Sequence, residues 1–298
     1  MHCKRFNAVH AYRCLVDFMK ALISVDMEGM PYVVNPGQLR LKGALYDEGR
    51  RIATRIALTV ANELNNNGFE KVIIADSHGP MVNIIVDDLP DYVDIIRGYP
   101  RPLSMISGVE DCDALILLGY HAKVGTSKST FDHTYSGGII TRVEVNGVEA
   151  SEFLLSAYAA GEMNVPVILV AGDAQLIKDD VSKYAPWAQT LALKHSMGRV
   201  SARSSSMVTI EKELRSEVKK AATKLKQKRV KLLKPEKPVK VRVTFQKTHF
   251  ADAAELLPNA KRVDGLKVEY SSSSMVEAYK TFELLVFASA GVTAILEG

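Results

Sequence analysis

The chain has few cysteines and lacks the motifs that would tie it to a nucleotide. Its three cysteines are Cys3, Cys14 and Cys112, two of them within the first fourteen residues. No CxxC pair occurs, so neither a disulfide framework nor a thiolate zinc site is indicated, and a reducing cytoplasm is the expected setting. Cys112, flanked by Asp111 and Asp113, reads as a plain thiol. Neither GxGxxG nor GxxxxGK[ST] is present, so the glycine-rich phosphate cradles are missing. No uninterrupted apolar run reaches the roughly 20 residues that a bilayer span needs, and no membrane partner is expected. Residues 1–18 carry Lys4, Arg5, Arg13 and Asp17 without a sustained apolar core, a poor secretory signal. They are set apart as an N-terminal extension, with Met19 as an alternative start.

The net charge of +4 is unevenly spread. Thirteen Lys or Arg and three Asp or Glu lie between Lys212 and Arg242, a local excess of ten, so the rest of the chain is negative by six. A basic segment can bind nucleic acid. Here Ile210, Leu214, Val218, Ala221, Ala222 and Leu225 recur at helical spacing, no aromatic residue interleaves with the lysines, and the charges read as the solvated face of a helix. No nucleic-acid partner is expected.

Strand and helix patterns alternate through the first two thirds. Lys20–Val25 reads as a strand, Ala44–Asn66 as a long helix closed by Asn65-Asn66-Asn67-Gly68, and Val72–Ala75 as the next strand. This unit predicts a right-handed parallel crossover. Helical turns are expected near Val82–Asp88 and Ser104–Gly108, with a short strand at Val93–Ile96 between them. Leu115–Leu118 is a principal strand, Asn146-Gly147 is a hairpin signal between Ile139–Val145 and Val148, and Ser151–Met163 is a helix before strand Pro166–Val170. After about residue 200 come the basic helix, an alternating strand at Val239–Phe245, a short helix at Ala251–Leu257, a strand at Lys267–Tyr270 and an apolar helix at Ser274–Ala288. The expected fold is α/β, Rossmann-like: a mostly parallel sheet flanked by helices over 19–203, with a smaller α+β lobe over 204–298 that serves oligomerisation and forms a pocket wall.

Buried-type strands of this chain stop at polar residues. Leu22-Ile23-Ser24-Val25 ends in Asp26-Met27-Glu28-Gly29, Val72-Ile73-Ile74-Ala75 in Asp76-Ser77-His78, Ala114–Leu118 in Gly119-Tyr120-His121, and Val167–Val170 in Ala171-Gly172-Asp173. In open α/β sheets ligands gather outside the carboxyl ends of the strands. Asp26 and Glu28, two apart in extended chain, can project to one side, and would repel unless a cation or a proton lies between them. Asp76 or Ser77 could orient the His78 imidazole. His121 needs a partner just beyond a buried strand, either a metal or the backbone. His133, in a loop of hydroxyls and glycines, suits acid/base work or plain exposure. Glu152 opens a helix, where a carboxylate is favourable in any case, and Glu149 competes with it. Two carboxylates, two histidines and a distal Glu would suit a two-metal hydrolase, and zinc accepts both donor types. Asp173 either lines the pocket or caps the following helix; Lys194 and His195 either line the site or face solvent.

The segments Ser24-Val25-Asp26-Met27-Glu28-Gly29, Asp76-Ser77-His78, Gly119-Tyr120-His121-Ala122, the His133 loop, Glu152 with Ala157-Tyr158-Ala160-Gly161, and Val165-Pro166-Val167 through Asp173 resemble the zinc-dependent D-aminopeptidase family associated with bacterial dipeptide-transport operons. The resemblance is specific from Met19 to about Arg203 and looser beyond. It implies two zinc ions per subunit, with Asp26 bridging, Glu28 and Glu152 completing one site, and His78 and His121 the other. It further implies His133 as the catalytic residue beside a dizinc-activated water. The implied activity is removal of N-terminal, D-configured residues from short peptides or amino-acid amides. The implied assembly is a homo-oligomer, a decameric ring with its active sites inside. Other readings are a different metal-dependent amidase or phosphoesterase on the same site, and a ring-forming peptide-binding protein without turnover.

Overall fold

Continuous apolar strands need cover on both faces, which the centre of a parallel sheet provides. In the computed structural model, which describes residues 19–297, all of β4 (Ala114–Tyr120) and β7 (Val167–Asp173) and the last five residues of β1 (Met19–Val25) are buried. The extension at 1–18 lies outside the described residues. With β2 (Phe69–Asp76), β3 (Val93–Ile96), β8 (Gln189–Gly198) and β9 (Ser201–Arg203) these strands form a seven-stranded sheet, ordered β3-β2-β1-β4-β7-β8-β9. Every pairing is parallel except that of the edge strand β9. The chain runs to one side of β1 through β2 and β3, then returns to the other side with β4. The β1–β4 junction is therefore the topological switch point, where such sheets bind ligands.

One face of this sheet carries α1 (Tyr46–Asn66) and α5 (Met207–Lys226). Ile56, Val60 and Leu64 of α1 pack in one core with Ile210, Leu214, Val218, Ala221 and Ala222 of α5. The basic helix thus buries one apolar stripe and leaves its lysines in solvent. The other face carries α2 (Glu152–Glu162) and a second sheet, antiparallel and ordered β11-β12-β10-β5-β6, made of β5 (Ile140–Val145), β6 (Val148–Glu149), β10 (Val239–Phe245), β11 (Lys261–Arg262) and β12 (Lys267–Ser272). The β5–β6 turn places Asn146 at φ 50° and Gly147 at φ 79°, the two left-handed residues of the tight hairpin turn that the Asn-Gly pair predicts. Between β7 and β8 the chain makes α3 (Ala174–Leu176), a π-helical turn at Ile177–Val181 and α4 (Ser182–Tyr184). The short α6 (Thr248–Ala254) precedes β11. The 23-residue α7 (Met275–Glu297) closes the described chain; its Tyr279, Phe282 and Leu285 enter the core beneath the second sheet. By length and composition Met275–Leu296 could cross a bilayer, although its first half is packed into this core.

Three expectations differ from the structure. Val82–Asp88 is irregular rather than helical, because the Asp76 carboxylate takes the amide of Ile84 and the side chain of Asn83 and holds the segment in an open turn. Ser104–Gly108 is broken into 3-10 turns at Ser104–Ile106 and Val109–Asp111 around Gly108, whose φ of 89° cannot continue a helix. The layers also do not divide at residue 203. The β5–β6 hairpin belongs to the second sheet, since β10 pairs with β5, and α5 belongs to the first layer, since its apolar stripe packs on α1. The β8–β9 hairpin had no clear pattern of its own in the sequence.

Candidate metal centre

At the switch point two backbones pass unusually close. Gly29 donates its N–H to the carbonyl of Gly119 at 2.6 Å, and a Cβ at Gly29 would lie 2.0 Å from the Tyr120 carbonyl oxygen. A Cβ at Gly119 would likewise meet the Asp26 carbonyl at 2.0 Å. Gly29 is needed here for close approach, the role glycine plays wherever backbone meets backbone. The contact locks the Asp26–Glu28 segment against His121.

Six side chains converge above this contact: Asp26 and Glu28 after β1, His78 after β2, His121 after β4, His133 from the loop before β5, and Glu152 at the start of α2. All except the half-buried His133 are buried. His78 Nδ1 lies 2.8 Å from Glu28 Oε2 and 3.3 Å from Asp26 Oδ1. His121 Nε2 lies 3.5 Å from Asp26 Oδ2 and 3.6 Å from Glu152 Oε2, and His133 Nε2 lies 3.6 Å from Glu152 Oε1. The His121 and His133 rings stack at 4.3 Å. Glu152 is fixed by the Tyr135 N–H, which donates to Oε1 at 2.6 Å, and by Ser151, whose hydroxyl caps the helix on the Leu154 N–H.

Each histidine has one nitrogen against a backbone carbonyl: His78 Nε2 on Leu39 at 2.8 Å, His121 Nδ1 on Ala122 at 3.0 Å and His133 Nδ1 on Phe131 at 2.7 Å. A carbonyl only accepts, so these nitrogens carry the proton of the neutral ring. The other nitrogen of each ring, with its lone pair, then faces a carboxylate that also only accepts. Acceptors facing acceptors need a cation or extra protons between them. Asp26 Oδ2 and His121 Nε2 are buried with no hydrogen-bond partner among the described residues. This fits a metal: oxygen and nitrogen donors in the mixture zinc accepts, each imidazole oriented from behind by a carbonyl. Two sets of ligand atoms lie within 4.8 Å of one another, Asp26 with Glu28 and His121, and His121 with His133 and Glu152.

The titration behaviour of the cluster without a cation has the same origin. Burial lowers the affinity of His121 for a proton, but Glu152 and then Asp26 and Glu28 override it and push its pKa up to about 10. His78 is likewise driven well above the ordinary histidine value by Glu28 and Asp26 against the opposing effect of burial. Burial and the adjacent Glu28 raise Asp26 well above the carboxylate range, whereas His78 holds Glu28 well below it despite burial. His133 moves the other way, lowered by burial and by the neighbouring His121, so its ring stays neutral.

All six expected residues are therefore in one place, but their pairing differs from the expected one. His78 sits with Glu28 at Asp26 Oδ1, and His121 sits with Glu152 at Asp26 Oδ2. Glu149 is outside the cluster, paired with Arg142 on the surface at 3.3 Å. His78 is oriented by the Leu39 carbonyl and not by Asp76 or Ser77; the Ser77 hydroxyl instead donates to the Met105 carbonyl at 2.7 Å. Asp173 caps α3 through the Gln175 N–H at 2.7 Å. His195 is exposed, whereas Lys194 is fully buried and donates to the carbonyls of Glu28 and Val33, tying the segment after β1 to β8. Burial pulls the Lys194 ammonium down to about 8. The β8–β9 turn also supports the His133 loop, through Thr130 N–H on Ser196 Oγ at 3.0 Å and Phe131 N–H on the Arg199 carbonyl at 3.1 Å. Phe131 and Tyr135, two residues either side of His133, both take left-handed backbone angles, φ 52° and 63°, as strained residues at functional sites often do.

A sequence model of the D-aminopeptidase family matches residues 19–284. The D-aminopeptidase of Bacillus subtilis (strain 168) is 31% identical over 264 residues, which cover 88% of this chain and 94% of that protein. The solved structure of the Zn-dependent D-aminopeptidase DppA from Bacillus subtilis, a self-compartmentalizing protease, superposes with a TM-score of 0.86 at 28% identity, over 91% of this chain and 98% of that one.

Proposed function

The chain belongs to the D-aminopeptidase family and is a metal-dependent aminopeptidase; from its buried cluster we propose that it releases D-configured N-terminal residues from short peptides or amino-acid amides at a pair of zinc ions. Asp26, Glu28 and His78 would hold one ion, and Asp26, His121 and Glu152 the other. The observation that carries this reading is the unpartnered pair Asp26 Oδ2 and His121 Nε2 at the sheet's switch point. When bound, zinc supplies a Lewis acid for the scissile carbonyl and makes water more acidic at neutral pH.

The chain's own residues do the rest. His133 is the proton carrier. Its Nδ1–H is committed to the Phe131 carbonyl, so Nε2 is the basic nitrogen, and its lowered pKa keeps that nitrogen free near neutrality. Glu152, 3.6 Å from it, attracts the proton His133 takes up before it passes to the leaving amine. The chain further assembles with copies of itself into a compartment that admits only short substrates. This is supported by the likeness to a self-compartmentalizing protease and by the exposed Leu284, Ile295 and Leu296 on the outer part of α7.

Matched D- and L-alanine amides, hydrolysed by zinc-analysed protein before and after chelation, test this reading. The D-amide is cleaved, the L-amide far more slowly, and chelation abolishes both activities until zinc is restored. Equal rates on the two amides reject D-selectivity, and full turnover by metal-free protein rejects the mechanism.

A further inference from the structure

Beside the cluster lies a cavity of about 220 Å³ whose lining includes four carboxylates: Asp26, Glu28, Glu152 and Glu283. Three of them belong to the cluster. Glu283 does not, and it comes from a separate element, α7. It is 7% exposed, and its Oε1 is buried without a hydrogen-bond partner among the described residues. Arg101, the neighbouring cation, spends its guanidinium elsewhere: Nε on the Ser104 carbonyl at 2.7 Å, Nη1 on Ile96 at 3.1 Å and Nη2 on Asp76 at 2.8 Å. Met81, Met105, Val286 and Phe287 give this cavity apolar walls, and the polar neighbour of the Glu283 carboxyl is the uncharged Ser104 hydroxyl. Tyr99 stands exposed at the rim, its ring 6.2 Å from that of Phe287.

A buried carboxylate oxygen without a donor is costly to the fold. In an apolar wall it selects for a ligand that brings a charged donor of its own. Of the groups on an aminopeptidase substrate, only the α-ammonium is required to be there and is cationic. The metal cluster, where the scissile carbonyl belongs, lines the same cavity. We propose that Glu283 binds the α-ammonium of the substrate and so makes a free amino terminus a condition of cleavage. This rests on the aminopeptidase reading above. The site takes a primary ammonium with a small or apolar neighbour, and an N-acylated substrate brings the Glu283 carboxyl no cation. Sites built around such a polar contact reject analogues lacking it by far more than apolar pockets reject a missing methylene, so discrimination of at least about a hundredfold is expected.

Two measurements on the zinc-loaded full chain test the assignment. The first is calorimetric binding of D-alaninol, which carries the ammonium but no scissile carbonyl. The second is hydrolysis of D-alanine amide and its N-acetyl derivative. Glu283→Gln keeps the shape without the charge, and Glu283→Leu removes the polar group altogether. With zinc content unchanged, both variants bind D-alaninol at least about tenfold more weakly. Both raise KM for D-alanine amide more than they lower kcat, as loss of ground-state binding requires, and narrow the preference for the free amine about tenfold or more. Unchanged D-alaninol affinity in both variants overturns the assignment, as does failure of the unaltered chain to bind it. If D-alaninol binds through Glu283 while neither amide is hydrolysed, the hydrolytic reading fails and the ammonium site stands.

Discussion

Acids stand at the ends of three parallel strands in this sheet, equally buried and chemically unlike. Asp76, after β2, accepts from the Ile84 amide and the Asn83 side chain, both at 2.7 Å. Asp173, after β7, accepts from the Gln175 amide at 2.7 Å and from the Ser196 hydroxyl. Both carboxylates are satisfied by the protein, and their work is to shape the turns that follow. Asp26, after β1, has one oxygen on the Met27 amide at 2.8 Å and the other without a hydrogen-bond partner among the described residues. Position at a strand end puts an acid where a ligand can be bound. Among these three strand-end acids the unsatisfied oxygen sets Asp26 apart, and with the unpartnered His121 Nε2 facing it that oxygen points to a ligand.

That contrast can be broken most directly at Asp26. Asp26→Asn removes the charge both proposed metal positions share, and activity falls by about a thousandfold or more, in line with the several kcal/mol such an ion supplies to a transition state. Metal analysis shows zinc lost in step. His133→Ala sharpens the comparison inside the cluster: turnover drops by about 10²–10⁴-fold, the usual worth of a positioned acid/base, while zinc content holds. Zinc loss in that variant would instead make His133 a ligand. Asp76→Ala has the opposite profile. It leaves a buried amide unpaired and lowers stability by about 1–3 kcal/mol in urea unfolding, with zinc still bound.

The smallest effect is one of pH. In the metal-free protein His121 has its pKa raised from 6.5 to about 10, chiefly by Glu152 against the opposing effect of burial. A raised folded-state pKa contributes stability that is fully present below the unfolded value and lost as pH rises through the folded one. The melting temperature of the metal-free protein therefore declines between pH 6.5 and 10. The zinc-loaded protein, in which the same nitrogen is occupied, shows a flatter profile over that range. Parallel profiles would mean that His121 does not hold the metal.

Much of this molecule was legible in the sequence. The length of α1, the hairpin at Asn146-Gly147, the alternation of β10 and the buried stripe of α5 follow from local periodicity and turn chemistry, and all are where those patterns place them. Asp26, Glu28, His78 and His121 could be named because strands of this fold end at its ligand-binding edge, whereas His133, in a loop, and Glu152, at a helix start, gained their roles from the family resemblance. Glu283 and the Leu39 carbonyl behind His78 could not, and Lys194 could be named only with solvent exposure as an equal alternative. Glu283 sits in an apolar helix with no motif around it, Lys194 in a strand whose apolar alternation is weak, and the carbonyl carries no side-chain identity. Residues 82–88 were misread because their backbone answers to Asp76 and not to their own periodicity.

By itself the sequence determined the parallel core, the strand ends that carry Asp26, Glu28, His78 and His121, and the class of chemistry those residues allow. It could do so because burial and periodicity are local properties. Tertiary structure alone decided which oxygens and nitrogens are left without partners, which histidine faces which carboxylate, and that a single acid from α7 enters the same cavity. Those are relations between segments as much as 257 residues apart, from Asp26 to Glu283, and no local pattern encodes them.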